Sequence, residues 1–190
     1  MYIPKRVDTN TPVIVFLHGY GGSFRWTDQL LAEAFQHHII LFPAYGISAA
    51  TVPSTYVSEC ISAASTKLGQ ALARPTLMGL SAGGFGAVRV YTQAPERFSK
   101  LVVLAAYPPS DSISRFTLSM KACFIVGSRE SYVQSGEFHR NMQSIRSRVG
   151  FLAQQVMPDA DHYFLLEKQE ETIRILRNWV RDNDRRTPER

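Results

Sequence analysis

A serine flanked by two glycines is the first feature of this sequence that could do chemistry. Ser81 lies in Gly79-Leu80-Ser81-Ala82-Gly83, after the apolar run 76–80 and before a segment of small residues with helical spacing. A short, continuous apolar run predicts a buried parallel strand. The serine is therefore expected at a sharp strand-to-helix turn that lifts its hydroxyl clear of the sheet. The glycines favour this turn, because a Cβ at either position would collide as strand and helix approach.

A serine hydroxyl is a weak nucleophile at neutral pH, so it requires a nearby base and a third group that orients the base. Histidine is the usual base, because its ordinary pKa lies near neutrality. His162 is the candidate, since it lies in a loop between the last apolar run and the closing helical pattern. Asp159 and Asp161 lie close to it in sequence and are expected to shape this loop. Together, Ser81 and His162 indicate acyl transfer.

Two carboxylates could orient His162. Glu130 ends the sequence Gly127-Ser128-Arg129-Glu130, directly after one apolar run, and Asp111 follows the preceding apolar run. Glu130 could also belong to the first turn of a surface helix, where acidic side chains are favoured. We favour Glu130 as the acid and keep Asp111 as the alternative.

Taken together, these motifs resemble the serine hydrolases of the α/β-hydrolase fold. The run 79–87, G-L-S-A-G-G-F-G-A, is especially similar to the esterase D and feruloyl-esterase-like branch. His18-Gly19-Tyr20-Gly21-Gly22 is similar to the H-G-x-x-G that precedes the first helix in the family. The resemblance implies the chain order serine, acid, histidine. It also implies that Glu130 replaces the commoner Asp of a G-x-x-D pattern, whereas some lipase-like members carry the acid at the place of Asp111.

The same resemblance implies an oxyanion hole formed by the backbone N–H groups of Tyr20 and Ala82. It implies a carboxylic-ester hydrolase that acts on a small molecule through an acyl-enzyme and requires no metal or organic cofactor. The expected pocket residues share a position on loops at the catalytic end of the sheet: Gly19, Tyr45, Tyr107 and Tyr163. Acyl transfer to an alcohol, thioester hydrolysis and a binding protein without turnover remain alternatives.

The order of strand and helix patterns predicts an α/β architecture. About six mainly parallel strands, with helices on both faces, are expected in a trimmed α/β-hydrolase fold without a large cap domain. The predicted strands cover residues 12–17, 38–43, 76–80, 100–106, 122–126 and 151–157. The last is expected at the edge of the sheet, and a closing helix is predicted over 164–180. Residues 1–190 form one domain in this interpretation, with a short lead at 1–11 and a charged, frayed tail at 181–190.

Composition excludes several other classes of protein. The 190 residues are 45% hydrophobic and 19% charged, which argues against a disordered chain. The net charge is +5, but no cluster of Lys and Arg interleaved with aromatic residues indicates nucleic-acid binding. No apolar run is long enough for a membrane helix, and no signal-peptide pattern opens the sequence, so a cytoplasmic location is expected. Cys60 and Cys123 are predicted to be buried free thiols.

Overall fold

A computed structural model describes residues 1–21, 25–46 and 52–181 of the chain. Within these residues, six strands form one sheet in which every neighbouring pair is parallel. The strands are β1 (Val13–Leu17), β2 (Ile39–Leu41), β3 (Thr76–Leu80), β4 (Lys100–Leu104), β5 (Lys121–Gly127) and β6 (Phe151–Met157). Their order is β2-β1-β3-β4-β5-β6, which confirms the predicted parallel sheet. Gly22 of the predicted H-G-x-x-G motif and the tail from residue 182 lie outside the described residues.

Helices cover both faces of this sheet, as predicted. They are α1 (Arg25–Ala34), α2 (Ser54–Leu68), α3 (Ala82–Gln93), α4 (Ser131–Gln134), α5 (Glu137–Arg146), α6 (Phe164–Glu167) and α7 (Gln169–Arg181). One core layer joins α2, α3 and α5 to one face, and a second layer joins α1, α6 and α7 to the other. Successive side chains of a strand point to opposite faces, so Val15 of β1 enters the first layer and Phe16 enters the second.

The burial of each strand follows from its place in the sheet. All five residues of the central strand β1 are buried, and so are all five of β4. By contrast, β6 pairs only with β5 and exposes Phe151, as expected for an edge strand. The central runs are buried on both faces because helices cover both, and full burial of each large apolar side chain contributes about 1.5–3 kcal/mol.

The connection between β4 and β5 contains a single short 3-10 helix, Ser110–Arg115. No large cap is inserted there, which agrees with the prediction of a trimmed fold. At the start of the chain, Tyr2 forms an isolated antiparallel bridge with Ile40, so the short lead extends the sheet beyond β2 by one pair of residues.

Two details differ from the predictions. The closing helix is not continuous over 164–180, because Lys168 leaves helical geometry (φ −124°, ψ 43°) and separates α6 from α7. Cys123 is buried as predicted, whereas Cys60 is only half-buried, and both are free thiols.

Within the described ranges, no group of three or more His, Cys, Asp or Glu side chains is arranged to hold a metal ion. No helix of the described chain is long and apolar enough to cross a membrane.

We expect Gly83→Ala to destabilise the fold, because the new Cβ would overlap the backbone oxygens of Leu17 and His18. Neither oxygen can move away without shifting β1, so the free energy of unfolding should fall by about 2 kcal/mol or more. Gly19→Ala is the matched control, since its Cβ would meet its nearest neighbour at an ordinary 3.4 Å and should change stability by less than about 0.5 kcal/mol. Urea unfolding measures both variants, and equal losses would contradict the expected close contact at Gly83.

Candidate active site

Ser81 occupies the sharp turn between β3 and α3. Its backbone has φ 55° and ψ −120°, a strained conformation for a residue with a side chain, which costs about 1–3 kcal/mol and persists only where the surroundings enforce it. Its N–H donates to the carbonyl of Leu104 on the neighbouring strand at 2.8 Å. Its own carbonyl accepts from the N–H of Gly84 at 2.8 Å, in the first turn of α3. The turn is therefore fixed on both sides, and the strand-to-helix position predicted for Ser81 is the one observed.

The imidazole of His162 connects Ser81 to Glu130. His162 Nε2 lies 2.8 Å from Ser81 Oγ, and Nδ1 lies 2.8 Å from Glu130 Oε1. An ionised carboxylate can only accept a hydrogen bond, so Nδ1 carries the proton that it donates to Glu130. Nε2 of the neutral ring is then an acceptor for the Ser81 hydroxyl. The structure thus brings together the three side chains favoured from the sequence.

The loops that carry Glu130 and His162 are bonded to each other. Ser128 N–H donates to the carbonyl of Met157 at 2.9 Å, and Arg129 N–H donates to the carbonyl of Ala160 at 2.8 Å. These two bonds join the end of β5 to the end of β6 just before the two functional side chains. The carboxylate of Asp161 accepts from Tyr163 N–H at 2.7 Å and so shapes the loop around His162, as expected.

Burial and charge act in opposite directions on His162. The hydrogen bond to Glu130 raises the pKa of the imidazole and is the largest effect, while burial lowers this pKa and the charges of Glu130 and Asp161 raise it further. The net result is a pKa above the ordinary value of a histidine. Glu130 is 9% exposed, compared with 39% for the His162 side chain. The carboxylate is therefore shielded from water, while the imidazole stays open to a ligand at Ser81.

Asp111, the alternative acid, lies in a different environment. It is an exposed residue of the 3-10 helix Ser110–Arg115, and the carboxylate that accepts the hydrogen bond from His162 Nδ1 is that of Glu130. Both carboxylates follow buried strands, so their positions in the sequence do not show which of the two contacts His162. In the folded chain, the Glu130 loop is the one that is bonded to the His162 loop.

The loop after β1 passes directly beside Ser81. A Cβ added to Gly19 would lie 3.4 Å from Ser81 Cβ and 4.0 Å from Ser81 Oγ. On the other side of Ser81, Ala82 is the first residue of α3. Its N–H belongs to the first turn, where backbone N–H groups lack partners within the helix. Both backbone segments predicted for an oxyanion hole are therefore adjacent to Ser81.

The predicted pocket tyrosines occupy three different places. Tyr163 is 63% exposed and meets the His162 ring edge-on, with ring centroids 5.7 Å apart. Tyr107 packs against Phe85 of α3 at 5.4 Å and against Tyr132 of α4 at 4.6 Å. Burial is the main cause that raises the pKa of the Tyr132 phenol, followed by the charge of Glu130. The cluster of Tyr107, Phe85 and Tyr132 thus packs next to the turn at Ser81 and the loop of Glu130.

Tyr45 packs against the loop after β1, where its ring stacks on that of His18. With His18, Phe16, Asp28 and Phe42 it lines a cavity of about 380 Å³, and Ser81 and His162 are not among the lining residues. Burial raises the pKa of Tyr45 far above its ordinary value, so this phenol remains protonated and can act as a donor. The contact between Tyr45 and His18 was not predicted, and the position of His18 before the glycines of the motif was the only signal for it.

The raised pKa of His162 can be tested directly. In an NMR titration of the wild-type chain, we expect the His162 imidazole to titrate above about 6.5, the ordinary value. Glu130→Gln removes the carboxylate that stabilises the imidazolium, so the pKa of His162 should fall below that of the wild type. Asp111→Asn is the matched control and should leave it unchanged. A wild-type value that Glu130→Gln does not lower would contradict the assigned cause.

Comparison with known proteins places this geometry in a family. Residues 14–140, more than half of the chain, match the model of the Alpha/beta hydrolase family. A curated relative, the pimeloyl-[acyl-carrier protein] methyl ester esterase of Vibrio campbellii, is 31% identical over 100 residues. The match covers 51% of this chain and 38% of the relative, so the chain spans less than half the length of that esterase.

Solved structures share the fold at low sequence identity. A predicted CIB-like hydrolase from Thermoplasma acidophilum superposes with a TM-score of 0.74 at 19% identity, over 94% of this chain and 90% of the other. Naproxen esterase from Bacillus subtilis superposes with a TM-score of 0.61 at 14% identity, over 90% of this chain and 85% of the other. The parallel sheet, the serine at its strand-to-helix turn and the matched sequence model agree, and the chain belongs to the alpha/beta hydrolase family.

Proposed function

We propose that this chain is a serine esterase that cleaves carboxylic esters of small molecules through an acyl-enzyme. The observation that carries the proposal is the hydrogen-bonded series from Ser81 Oγ through the His162 imidazole to Glu130 Oε1, with both distances at 2.8 Å. A series of this kind supplies a nucleophile, a base and a group that orients the base. Serine, imidazole and carboxylate suffice for ester cleavage, so the proposed reaction requires no metal or organic cofactor.

In the first step, Ser81 Oγ attacks the ester carbonyl while His162 Nε2 accepts the hydroxyl proton. Glu130 holds the tautomer in which Nε2 is free, and it stabilises the imidazolium that forms. When the tetrahedral intermediate collapses, His162 returns the proton to the alcohol that leaves. Water then attacks the acyl group on Ser81, with His162 again as the base, and free acid and enzyme are regenerated.

The negative charge of the tetrahedral intermediate needs donors that are already in place. We assign this role to the backbone N–H groups of Tyr20 and Ala82, which flank Ser81 on two different segments. The start of α3 adds a favourable partial positive charge. One donor of this kind typically contributes about 3 kcal/mol in the transition state. The strained backbone of Ser81 supports the proposal, since it keeps the hydroxyl at the tip of the turn.

Two named proteins among the comparisons point to the same substrate class. The Vibrio campbellii relative is described as a methyl ester esterase and the Bacillus subtilis structure as a carboxylesterase. Tyr163, whose ring meets His162 edge-on, is 63% exposed, and Tyr20 is 70% exposed, so neither side chain is held in an enclosed pocket. A small or aromatic ester fits an open site of this kind better than a substrate that must be fully enclosed.

A fluorophosphonate probe tests whether Ser81 is the nucleophile. We expect one adduct per chain, located on Ser81 by peptide mass spectrometry, because His162 accepts the hydroxyl proton as the phosphorus is attacked. Ser81→Ala should abolish both the labelling and the hydrolysis of p-nitrophenyl acetate, while Ser112→Ala, which changes a serine whose hydroxyl donates to the carbonyl of Pro109, should retain both. Folded wild-type chain that neither reacts with the probe nor cleaves p-nitrophenyl esters of any chain length would support a binding protein instead.

The role of Glu130 is tested by a pair of isosteric changes. Glu130→Gln keeps the volume of the side chain but replaces the charged carboxylate with a neutral amide. The amide no longer fixes the Nδ1–H tautomer or stabilises the imidazolium, so kcat should fall by about 10³-fold. Asp111→Asn changes an exposed carboxylate and should keep kcat within about twofold. Steady-state kinetics on one p-nitrophenyl ester compares them, and the reverse ranking would assign the acid to Asp111.

A further inference from the structure

Two consecutive backbone carbonyls after β1 are each bound by an aromatic side chain, one from the half-buried Tyr45 and the other from the buried His18. The Tyr45 hydroxyl donates to the carbonyl of His18 at 2.7 Å. His18 Nδ1 is 2.8 Å from the carbonyl of Gly19, and since a carbonyl only accepts, the ring nitrogen is the donor. The two rings are also stacked, with centroids 4.0 Å apart and planes within 11°. The peptide groups that lead to Tyr20 are therefore fixed by side chains.

These bonds determine which way the Tyr20 N–H points. No peptide bond in the described residues is cis, and in a trans peptide the carbonyl and the N–H point in opposite directions. The peptide between Gly19 and Tyr20 has its carbonyl on the His18 ring, so its N–H faces away from that ring. Gly19 itself lies against Ser81, with its added Cβ 3.4 Å from Ser81 Cβ.

We propose that His18 and Tyr45 are positioning residues that hold the Tyr20 N–H toward the oxyanion formed at Ser81. The inference rests on the proposed esterase function and adds two residues to it. We call the two residues with their two carbonyl bonds the oxyanion-loop clamp. Neither side chain contacts the reacting atoms in this proposal, because both act through the Gly19–Tyr20 peptide.

A clamp is needed because the loop contains the residues that rotate most easily. Gly19 lacks a Cβ, so rotation about its Cα–C bond, which turns the Gly19–Tyr20 peptide, has little intrinsic preference for one direction. If the peptide turned over, the carbonyl of Gly19 would replace the donor and face a developing negative charge. A misplacement of about 1 Å in such a site can lower the rate by about 10²-fold. Fixing the peptide before the reaction removes this loss.

The burial of His18 supports a positioning role instead of a second base. His18 is 7% exposed, one face of its ring is covered by Tyr45, and its Nδ1 is bonded within its own loop. By contrast, the proposed base, His162, has a side chain that is 39% exposed and a ring nitrogen bonded to Ser81. The two histidines at this end of the sheet therefore differ in accessibility. His162 is open to a ligand, whereas His18 is enclosed.

Tyr45→Phe is the sharpest test, because it removes one hydroxyl and keeps the stacked ring. We expect kcat for a p-nitrophenyl ester to fall about tenfold with KM changed less than twofold, since the donor acts in the transition state. Tyr2→Phe is the matched control: the Tyr2 hydroxyl also donates to a backbone carbonyl, that of Gln36 at 3.3 Å, and this bond involves neither the loop after β1 nor the segment of Tyr45. This control should leave kcat unchanged.

A trifluoromethyl ketone separates the clamp from a general loss of structure. It forms a hemiketal oxyanion on Ser81, so its inhibition constant should rise in Tyr45→Phe by the same factor as kcat/KM falls. A variant that is merely less stable would lower the melting temperature without this parallel change. Equal inhibition constants for wild type and Tyr45→Phe, with unchanged kcat, would overturn the role of Tyr45.

The His18 bond is tested by a conservative pair of variants. The amide nitrogen of an asparagine lies near the place of histidine Nδ1 and is also a donor, so His18→Asn should retain most of kcat. His18→Leu keeps the volume but has no donor, and its kcat should fall about 30-fold, which is less than the loss of about 10²- to 10³-fold seen when an oxyanion donor itself is removed. Equal activity in both variants would contradict the role of the His18 bond.

The clamp and the esterase proposal fail in different ways. If the wild-type chain shows no labelling of Ser81 and no ester turnover, the proposed function fails, and the clamp fails with it. If the wild type is active and both Tyr45→Phe and His18→Leu match its kcat, the clamp alone is wrong.

Discussion

The close approach of backbone to backbone at the end of β3 is the constraint on which the rest of the site depends. A Cβ at Gly79 would overlap the carbonyl of Gly83, and one at Gly83 would overlap the carbonyls of Leu17 and His18. Only residues without side chains allow β3, α3 and the loop after β1 to meet at this distance. That distance places the Ser81 turn directly beside Gly19. The same close packing therefore sets both the position of Ser81 and the position of the loop beside it.

A second constraint joins the two loops on the other side of Ser81. Gly127 is also packed against backbone, since an added Cβ there would overlap the carbonyls of Ala160 and Asp161. This contact and the two backbone bonds from Ser128 and Arg129 bring the ends of β5 and β6 together. Glu130 and His162 therefore lie on two loops that have little freedom to separate. The hydrogen bonds that connect Ser81, His162 and Glu130 thus depend on the close packing at these glycines.

The site has an exposed side and an enclosed side. The His162 side chain is 39% exposed and Tyr163 is 63% exposed, whereas Glu130 and His18 are buried and Tyr45 is half-buried. This division suits the proposed ester cleavage, because the groups proposed to meet a substrate are accessible, whereas Glu130 and His18, which are proposed to orient other groups, are shielded from water. Shielding strengthens such polar contacts and lowers their freedom to rearrange during a reaction.

The sequence by itself determined the strands and the candidate catalytic residues, because short apolar runs and the Gly79–Gly83 motif depend on local chemistry. It did not reveal the break at Lys168, since the apolar residues of α6 and α7 continue at helical spacing across it. Only the tertiary structure decided between Glu130 and Asp111 as partner of His162, and only it showed the contact of Tyr45 with His18. The physical reason is that these contacts join residues 27 and 32 positions apart, and packing of the whole sheet sets the distance between such residues.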